Sequence, residues 1–165
     1  MPEKKWIFDT VALSNFLLSD SISILEERYG NRGMITWEVY DEISAGIMEY
    51  PQLKQIDRLT GPKIFKLITL SETEHDQFLE LIGHLGKGEA ACIAAAKERQ
   101  AIVATDDRAA RGQCSLMNIP FTGTIGILKA AFHEGQISLF QADDILGKMI
   151  KAGFYSPIRS ISDIV

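Results

Sequence analysis

The sequence predicts an α/β fold, a three-layer α/β/α sandwich around a mostly parallel sheet of roughly five strands. Short apolar runs alternate with segments of helical period along the chain, the pattern of a parallel sheet covered by helices. Two of those runs, Lys4-Lys5-Trp6-Ile7-Phe8 and Ala101-Ile102-Val103-Ala104-Thr105, lead straight into carboxylates at Asp9 and Asp106. Parallel α/β sheets hold their ligands outside the carboxyl ends of the strands, so two such strands side by side would put both acids at one edge. The segment from Glu89 to Arg99 carries Ala90, Ala91, Ala94, Ala95 and Ala96, side chains small enough for a helix to lie very close to a sheet.

After the first strand, helices are expected over Thr10 to Leu18 and Ile22 to Tyr29, the second ending at Gly30. Met34-Ile35-Thr36 reads as a short strand. Trp37, Tyr40, Ile43, Ala45 and Ile47 then form a helical stripe, with apolar residues two to four apart. Pro51 restarts the chain, Gln52 to Leu59 is a weaker helix ended by Gly61-Pro62, and Ile64 to Ile68 is rich enough in apolar residues for a strand. Ser71 with Glu74 matches the capping box, in which a hydroxyl and a carboxylate three residues on satisfy the orphan amides of a helix start; that helix is expected to run to about His84. Gly86-Lys87-Gly88 breaks the pattern and Glu89 opens the alanine-rich helix. Beyond Thr105, a helix from Arg108 to Met117, a strand over Ile119 to Thr122, and helices from Gly123 to Glu134 and Phe140 to Ala152 complete the alternation. The tail from Pro157 to Val165 has no clear period.

With 165 residues, 46% hydrophobic and 24% charged, the chain reads as one globular domain with a sizeable core. The expected division is one main domain over 1–155 and a C-terminal tail over 156–165. No stretch approaches the roughly 20 apolar residues of a membrane span, and the charged start Met1-Pro2-Glu3-Lys4-Lys5 lacks the apolar region of a signal peptide. A cytoplasmic protein without a membrane partner is the expectation. Cys92 and Cys114 belong to no CxxC pair and His75, His84 and His133 are isolated, which argues against structural zinc. A net charge of -5 argues against broad electrostatic adhesion to nucleic acid, yet a cluster of metal-binding carboxylates would itself supply such charge. Gly86-Lys87-Gly88 is not a phosphate-binding P-loop, because GxxxxGK[ST] is absent. A dehalogenase-like phosphatase needs a second aspartate two residues after the strand-end one, where this chain has Val11.

The candidate site is the ordered set Asp9, Glu42, Glu89, Asp106 and Asp107, with Thr10, Ser14, Asn15, Thr105 and Arg108 around it. Each acid alone has a plainer explanation. Asp9, Asp106 or Asp107 can cap the helix that follows, Glu89 can answer a helix dipole, and Glu42 can sit on a solvated face. Together they resemble the hard oxygen donor set that Mg²⁺ or Mn²⁺ prefers. Two like charges about 4 Å apart repel by roughly 4 kcal/mol at an effective dielectric of 20, so a cation would relieve a cost that chance clustering would have to bear. Arg108 and Arg111 stand on one helical side after the acidic doublet and can hold it or meet a phosphate. Trp37 and Tyr40 can stack on bases, though their spacing is that of a core stripe.

The order and context of these residues resemble the PIN-domain ribonucleases, including the VapC-like toxins of prokaryotic toxin-antitoxin systems. The resemblance lies in Phe8-Asp9-Thr10 with Leu13, in Ile35-Thr36 followed by Glu42-Ile43, and in Gly88-Glu89-Ala90-Ala91 with the small residues after it. It continues in Thr105-Asp106-Asp107-Arg108-Ala109-Ala110-Arg111 and Thr122-Gly123-Thr124-Ile125-Gly126-Ile127-Leu128, which is closer to a poorly characterised prokaryotic subfamily than to the commonest toxins. It covers roughly residues 4–155; the chain is longer than a minimal member through residues 48–70 and the C-terminal stretch. The resemblance implies a metal-dependent endoribonuclease using Mg²⁺ or Mn²⁺, the toxin of a toxin-antitoxin pair, with an RNA substrate, a small antitoxin protein as partner and a homodimeric state. Either Asp106 or Asp107 satisfies the family's fourth acid. The alternative is a catalytically weak RNA-binding or protein-interaction module on the same fold.

Overall fold

Trp6–Phe8 forms β1, and the chain turns at once into α1, Thr10–Leu18. This computed structural model describes residues 3–61 and 64–165, so Met1 and Pro2 at the start, and Pro62 of the Gly61-Pro62 helix stop, lie outside the described residues. Helix α2, Ile22–Tyr29, ends at Gly30, whose φ of 40° is one that L side chains rarely adopt. A 3-10 turn then leads into β2, Gly33–Thr36, and α3, Trp37–Ala45. Helix α3 stops before Ile47, so the apolar stripe outruns the helix.

The weak helix over Gln52 to Leu59 resolves into a 3-10 helix over Pro51–Gln55 and a single turn, α4, Ile56–Leu59. Strand β3 is Lys66–Ile68 and α5 is Glu72–Leu81, short of His84. The capping box at its start is made as expected: Ser71 Oγ accepts from Glu74 N–H at 3.2 Å, and Glu74 accepts from Ser71 N–H at 2.8 Å. Helix α6, Lys87–Arg99, starts two residues earlier than expected. Only Gly86 is extended, as the N-cap; Lys87 and Gly88 are helical, which puts Glu89 third in the first turn. Strand β4, Ile102–Ala104, precedes α7, Arg108–Leu116, and β5, Phe121–Thr122, precedes α8, Thr124–His133. The last helix, α9, spans Leu139–Lys151. Its own capping box, Ser138 with Gln141, sets its start one residue before Phe140.

The five strands form one sheet in the order β3-β2-β1-β4-β5, and every pairing is parallel. Strand β1 is therefore central, with Ile7 opposite both Met34 and Val103. Phe8 packs its ring 4.9 Å from Phe65 and 5.1 Å from Tyr29, within the 4.5–7 Å range typical of favourable aromatic pairs. Helix α6 is buried along Ala90 to Ala96. It touches α3, α5, β1, β2 and β4, a close approach that larger side chains would block. Residues 156–165 carry a 3-10 turn, Ile161–Asp163, with Ile161 buried against α8 and α9. Asp143 on α9 accepts the Ser162 N–H at 3.0 Å. Among the described residues no helix is long and apolar enough to cross a membrane.

Candidate metal centre

Parallel pairing of β1 with β4 brings the strand-end acids together. Asp9 N–H continues the ladder by donating to Ala104 O at 3.0 Å, which holds Asp9 beside the residues that lead to Asp106. The Asp9 carboxylate is the N-cap of α1: Oδ1 accepts the Ala12 N–H at 2.8 Å. Oδ2 makes no hydrogen bond of good geometry, although the residue is 2% exposed; the nearby Thr105 hydroxyl favours its ionised form without outweighing burial. A buried, half-satisfied carboxylate resists ionisation. Burial pushes the Asp9 pKa from 3.8 up to about 7, and the neighbouring Asp106 and Glu89 charges push the same way.

Asp106 sits just beyond β4 in a web of donors from three elements. The Thr124 backbone N–H reaches Oδ1 at 2.9 Å and the Thr124 hydroxyl reaches Oδ2 at 2.5 Å. Asn15 Nδ2 lies 3.4 Å from Oδ2 and also donates to Thr124 Oγ1 at 3.1 Å. Thr124 can make both contacts because it is the first residue of α8, where a free N–H points out of the helix. Arg111 adds a cation, its Nη2 3.7 Å from Asp106 Oδ1, while its Nε donates to Thr105 O at 2.9 Å. A Cβ on Gly123 would fall 1.9 Å from Arg111 Nη2 and 2.6 Å from Asp106 Oδ1, so glycine is needed there for this approach.

Asp107 takes the other course. Its Oδ2 accepts the Ala110 N–H at 2.8 Å as the N-cap of α7, and its own N–H donates to Thr105 Oγ1 at 3.1 Å. Arg108 is exposed and Ser14 is half-buried on α1.

Glu42, Glu89 and Thr10 meet at the start of α6. A Cβ on Gly88 would lie 2.5 Å from Glu42 Oε1 and 2.9 Å from Thr10 Oγ1, and one on Gly86 would lie 2.5 Å from Glu89 Oε2. Glu42 thus reaches from α3 onto the backbone of α6, and Glu89 folds back over its own N-cap. Partial burial raises the Glu42 pKa, with the Glu89 charge acting in the same direction. The Gly88 N–H and the buried Thr10 hydroxyl work against that rise.

Among the described residues, no group of three or more His, Cys, Asp or Glu side chains is gathered closely enough to hold a metal ion. The acids form two linked groups, Asp9 with Asp106 and Glu42 with Glu89, coupled through their charges. Unneutralised carboxylates repel one another, and this arrangement relieves some of that repulsion. The donor set nonetheless suits a hard divalent cation, being all carboxylate and hydroxyl oxygen. The unpartnered, buried Oδ2 of Asp9 is the atom a cation would satisfy. Arg111 takes the holding position that its spacing after the doublet allows, whereas Arg108 does not; the contact from Thr124 is the part that sequence spacing does not reveal. In the sequence Thr124 stands as a polar residue after Gly123 at a helix start, inside the run Thr122 to Leu128.

A five-stranded parallel α/β domain with carboxylates at the carboxyl edge of its central strands defines the class. The family comparison agrees: residues 5–165 match a family model described as a PIN domain, and the chain belongs to the PIN-domain family. Solved structures similar in fold include a toxin-antitoxin complex from Klebsiella pneumoniae, with a TM-score of 0.50 and 18% identity over 62% of this chain and 87% of that one. Another is VapBC2 from Rickettsia felis bound to a DNA fragment from their promoter, with a TM-score of 0.53 and 12% identity over 72% of this chain and 97% of that one. No curated protein matches the chain.

Proposed function

We propose that this protein is a metal-dependent endoribonuclease and the toxin component of a toxin-antitoxin pair. The observation that carries the reading is the buried, unpartnered Oδ2 of Asp9 beside a second carboxylate, Asp106, that Thr124, Asn15 and Arg111 hold in place. Membership of the PIN family and the toxin-antitoxin assemblies among the structural neighbours support it.

Asp9 and Asp106 would hold the cation, with Glu42 and Glu89 as flanking ligands through water. A bound Mg²⁺ or Mn²⁺ supplies an activated water and neutralises charge on the phosphate. The chain's own groups provide the rest. Thr124 and Asn15 orient Asp106, Gly88 admits Glu42, and Arg111 keeps a positive charge at the rim where a phosphate would approach. Asp106 takes the fourth acidic role, because its charge bears on Asp9 across the sheet edge, and Asp107 the structural one as the N-cap of α7. A small antitoxin protein and a second copy of the chain are the proposed partners, and the cytoplasm the place of action.

The test is cleavage of structured RNA by purified protein with Mg²⁺ or Mn²⁺. Activity should vanish with EDTA and in Asp9→Ala. RNA binding without cleavage in the wild type would instead select the catalytically weak binding module.

A further inference from the structure

We infer that the cavity between β5, the start of α8 and residues 154–157 is a nucleobase pocket, receiving one unpaired base of the RNA next to the metal centre. The inference rests on the nuclease reading for the identity of the polymer. The cavity holds about 420 Å³ and shares Asp106 with the metal centre as part of its wall. That volume lies within the usual range of small-molecule sites, roughly 300–1,000 Å³.

Its lining is aromatic and cationic. Phe121, Phe154 and Tyr155 face it with Arg111. Tyr155 is 97% exposed and Phe121 38%, an arrangement that leaves aromatic surface uncovered at the rim of a charged site. The Arg111 guanidinium lies 5.4 Å from the centre of the Phe121 ring. Its Nε and Nη2 are directed at Thr105 O and Asp106, and a side chain 39% exposed keeps further N–H groups available. Aromatic rings and a guanidinium at one mouth are the groups that hold splayed-out bases in single-stranded RNA. A paired base could not enter, since its Watson–Crick edge and both faces are already occupied. Arg111 has a second use, donating to the phosphate that follows the captured base. The cavity would therefore select unpaired RNA and set which phosphate reaches Asp9.

The experiment measures binding of five-nucleotide single-stranded RNAs by fluorescence anisotropy. The protein carries Asp9→Asn throughout, so that the RNA stays intact and one repelling charge is removed. A series with one abasic position moved along the strand is compared with the parent. One position should matter: its abasic form should bind roughly tenfold more weakly, in line with the stacking of a single base. Tyr155→Ala should weaken the parent by a similar factor and leave that abasic form unaffected. Because Tyr155 is exposed, the alanine protein should fold normally, which circular dichroism checks; Phe121→Leu supplies a second variant. Equal effects of Tyr155→Ala on parent and abasic RNA, or none on either, would overturn the pocket and leave it open to a protein side chain instead. No detectable binding of any of the RNAs would overturn it as well. The nuclease reading is judged separately by cleavage with the wild-type protein: cleavage without base-dependent binding removes only the pocket, and base-dependent binding without cleavage removes only the nuclease.

Discussion

Thr124 offers both its backbone N–H and its hydroxyl to the two oxygens of Asp106, at 2.9 and 2.5 Å. The pair is separated by 18 residues and joined by the parallel pairing of β4 with β5. An acid fixed by a neighbour in this way is pre-organised for a ligand, because its rotamer is set before anything binds.

Replacing Thr124 by Val should leave the N–H contact and remove the hydroxyl. Groups that orient metal ligands typically contribute about 10- to 100-fold in metal affinity or activity. Titration calorimetry with Mn²⁺ should show a loss in that range, and stability should fall by about 1–3 kcal/mol because buried Asn15 Nδ2 loses its acceptor.

The acidic doublet should divide by substitution. Asp107→Ala removes an N-cap, at a cost of roughly 0.5–2 kcal/mol in stability, and should retain cleavage. Asp106→Ala should abolish cleavage. Denaturant unfolding and an RNA cleavage assay on the same two proteins check the division, and an inactive Asp107→Ala protein with unchanged stability would reverse it.

Asp9 makes the metal-free protein sensitive to pH. Its folded pKa of about 7 exceeds its ordinary 3.8, chiefly through burial. The folded state therefore binds the proton more tightly than the unfolded state, and stability falls as pH rises from about 4 to about 7. The loss reaches roughly 4 kcal/mol above pH 7 as an order of magnitude. In EDTA, Asp9→Asn should raise the melting temperature at pH 8 far more than at pH 4, and Mn²⁺ should stabilise the wild type but not the variant.

Gly88→Ala separates folding from metal binding. The added methyl would meet the flexible end of Glu42 and the Thr10 hydroxyl, 2.5 and 2.9 Å away. Glu42 can swing aside, and alanine favours the helix by up to about 1 kcal/mol over glycine. Stability should hold or rise slightly while Mn²⁺ affinity, read by calorimetry, falls.

Far from the site, Arg99 grips both oxygens of Glu74 at 2.7 and 3.0 Å, and Glu74 is 1% exposed. Burial alone would raise the Glu74 pKa, but the guanidinium and the Ser71 N–H together hold it below the usual carboxylate range. This contribution is present above pH 4.5 and is lost as pH falls through the lowered folded value. Arg99→Ala should cost about 2–3 kcal/mol at pH 7, as expected for hydrogen bonds to a charged group whose partner is partly solvated. Chemical denaturation should show the difference narrowing toward pH 3.

Local and periodic features are legible before the chain folds. Helices α1 and α2 have the expected bounds because Asp9 caps the first and Gly30 ends the second. The capping box at Ser71 is legible for the same reason, and Ser138 with Gln141 makes the equivalent one at the start of α9. Alternation of strand and helix was enough for a parallel sheet, and hence for Asp9 and Asp106 on one edge. Only the fold sets which contacts the two acids of the doublet make. Asp106 and Asp107 are adjacent in sequence, and both stand before a helix. What separates them is contact across the sheet: Thr124 comes from the start of α8, just beyond β5, Asn15 from 91 residues earlier on α1, and both reach Asp106. Contacts of that separation depend on strand order and register, which no local spacing encodes.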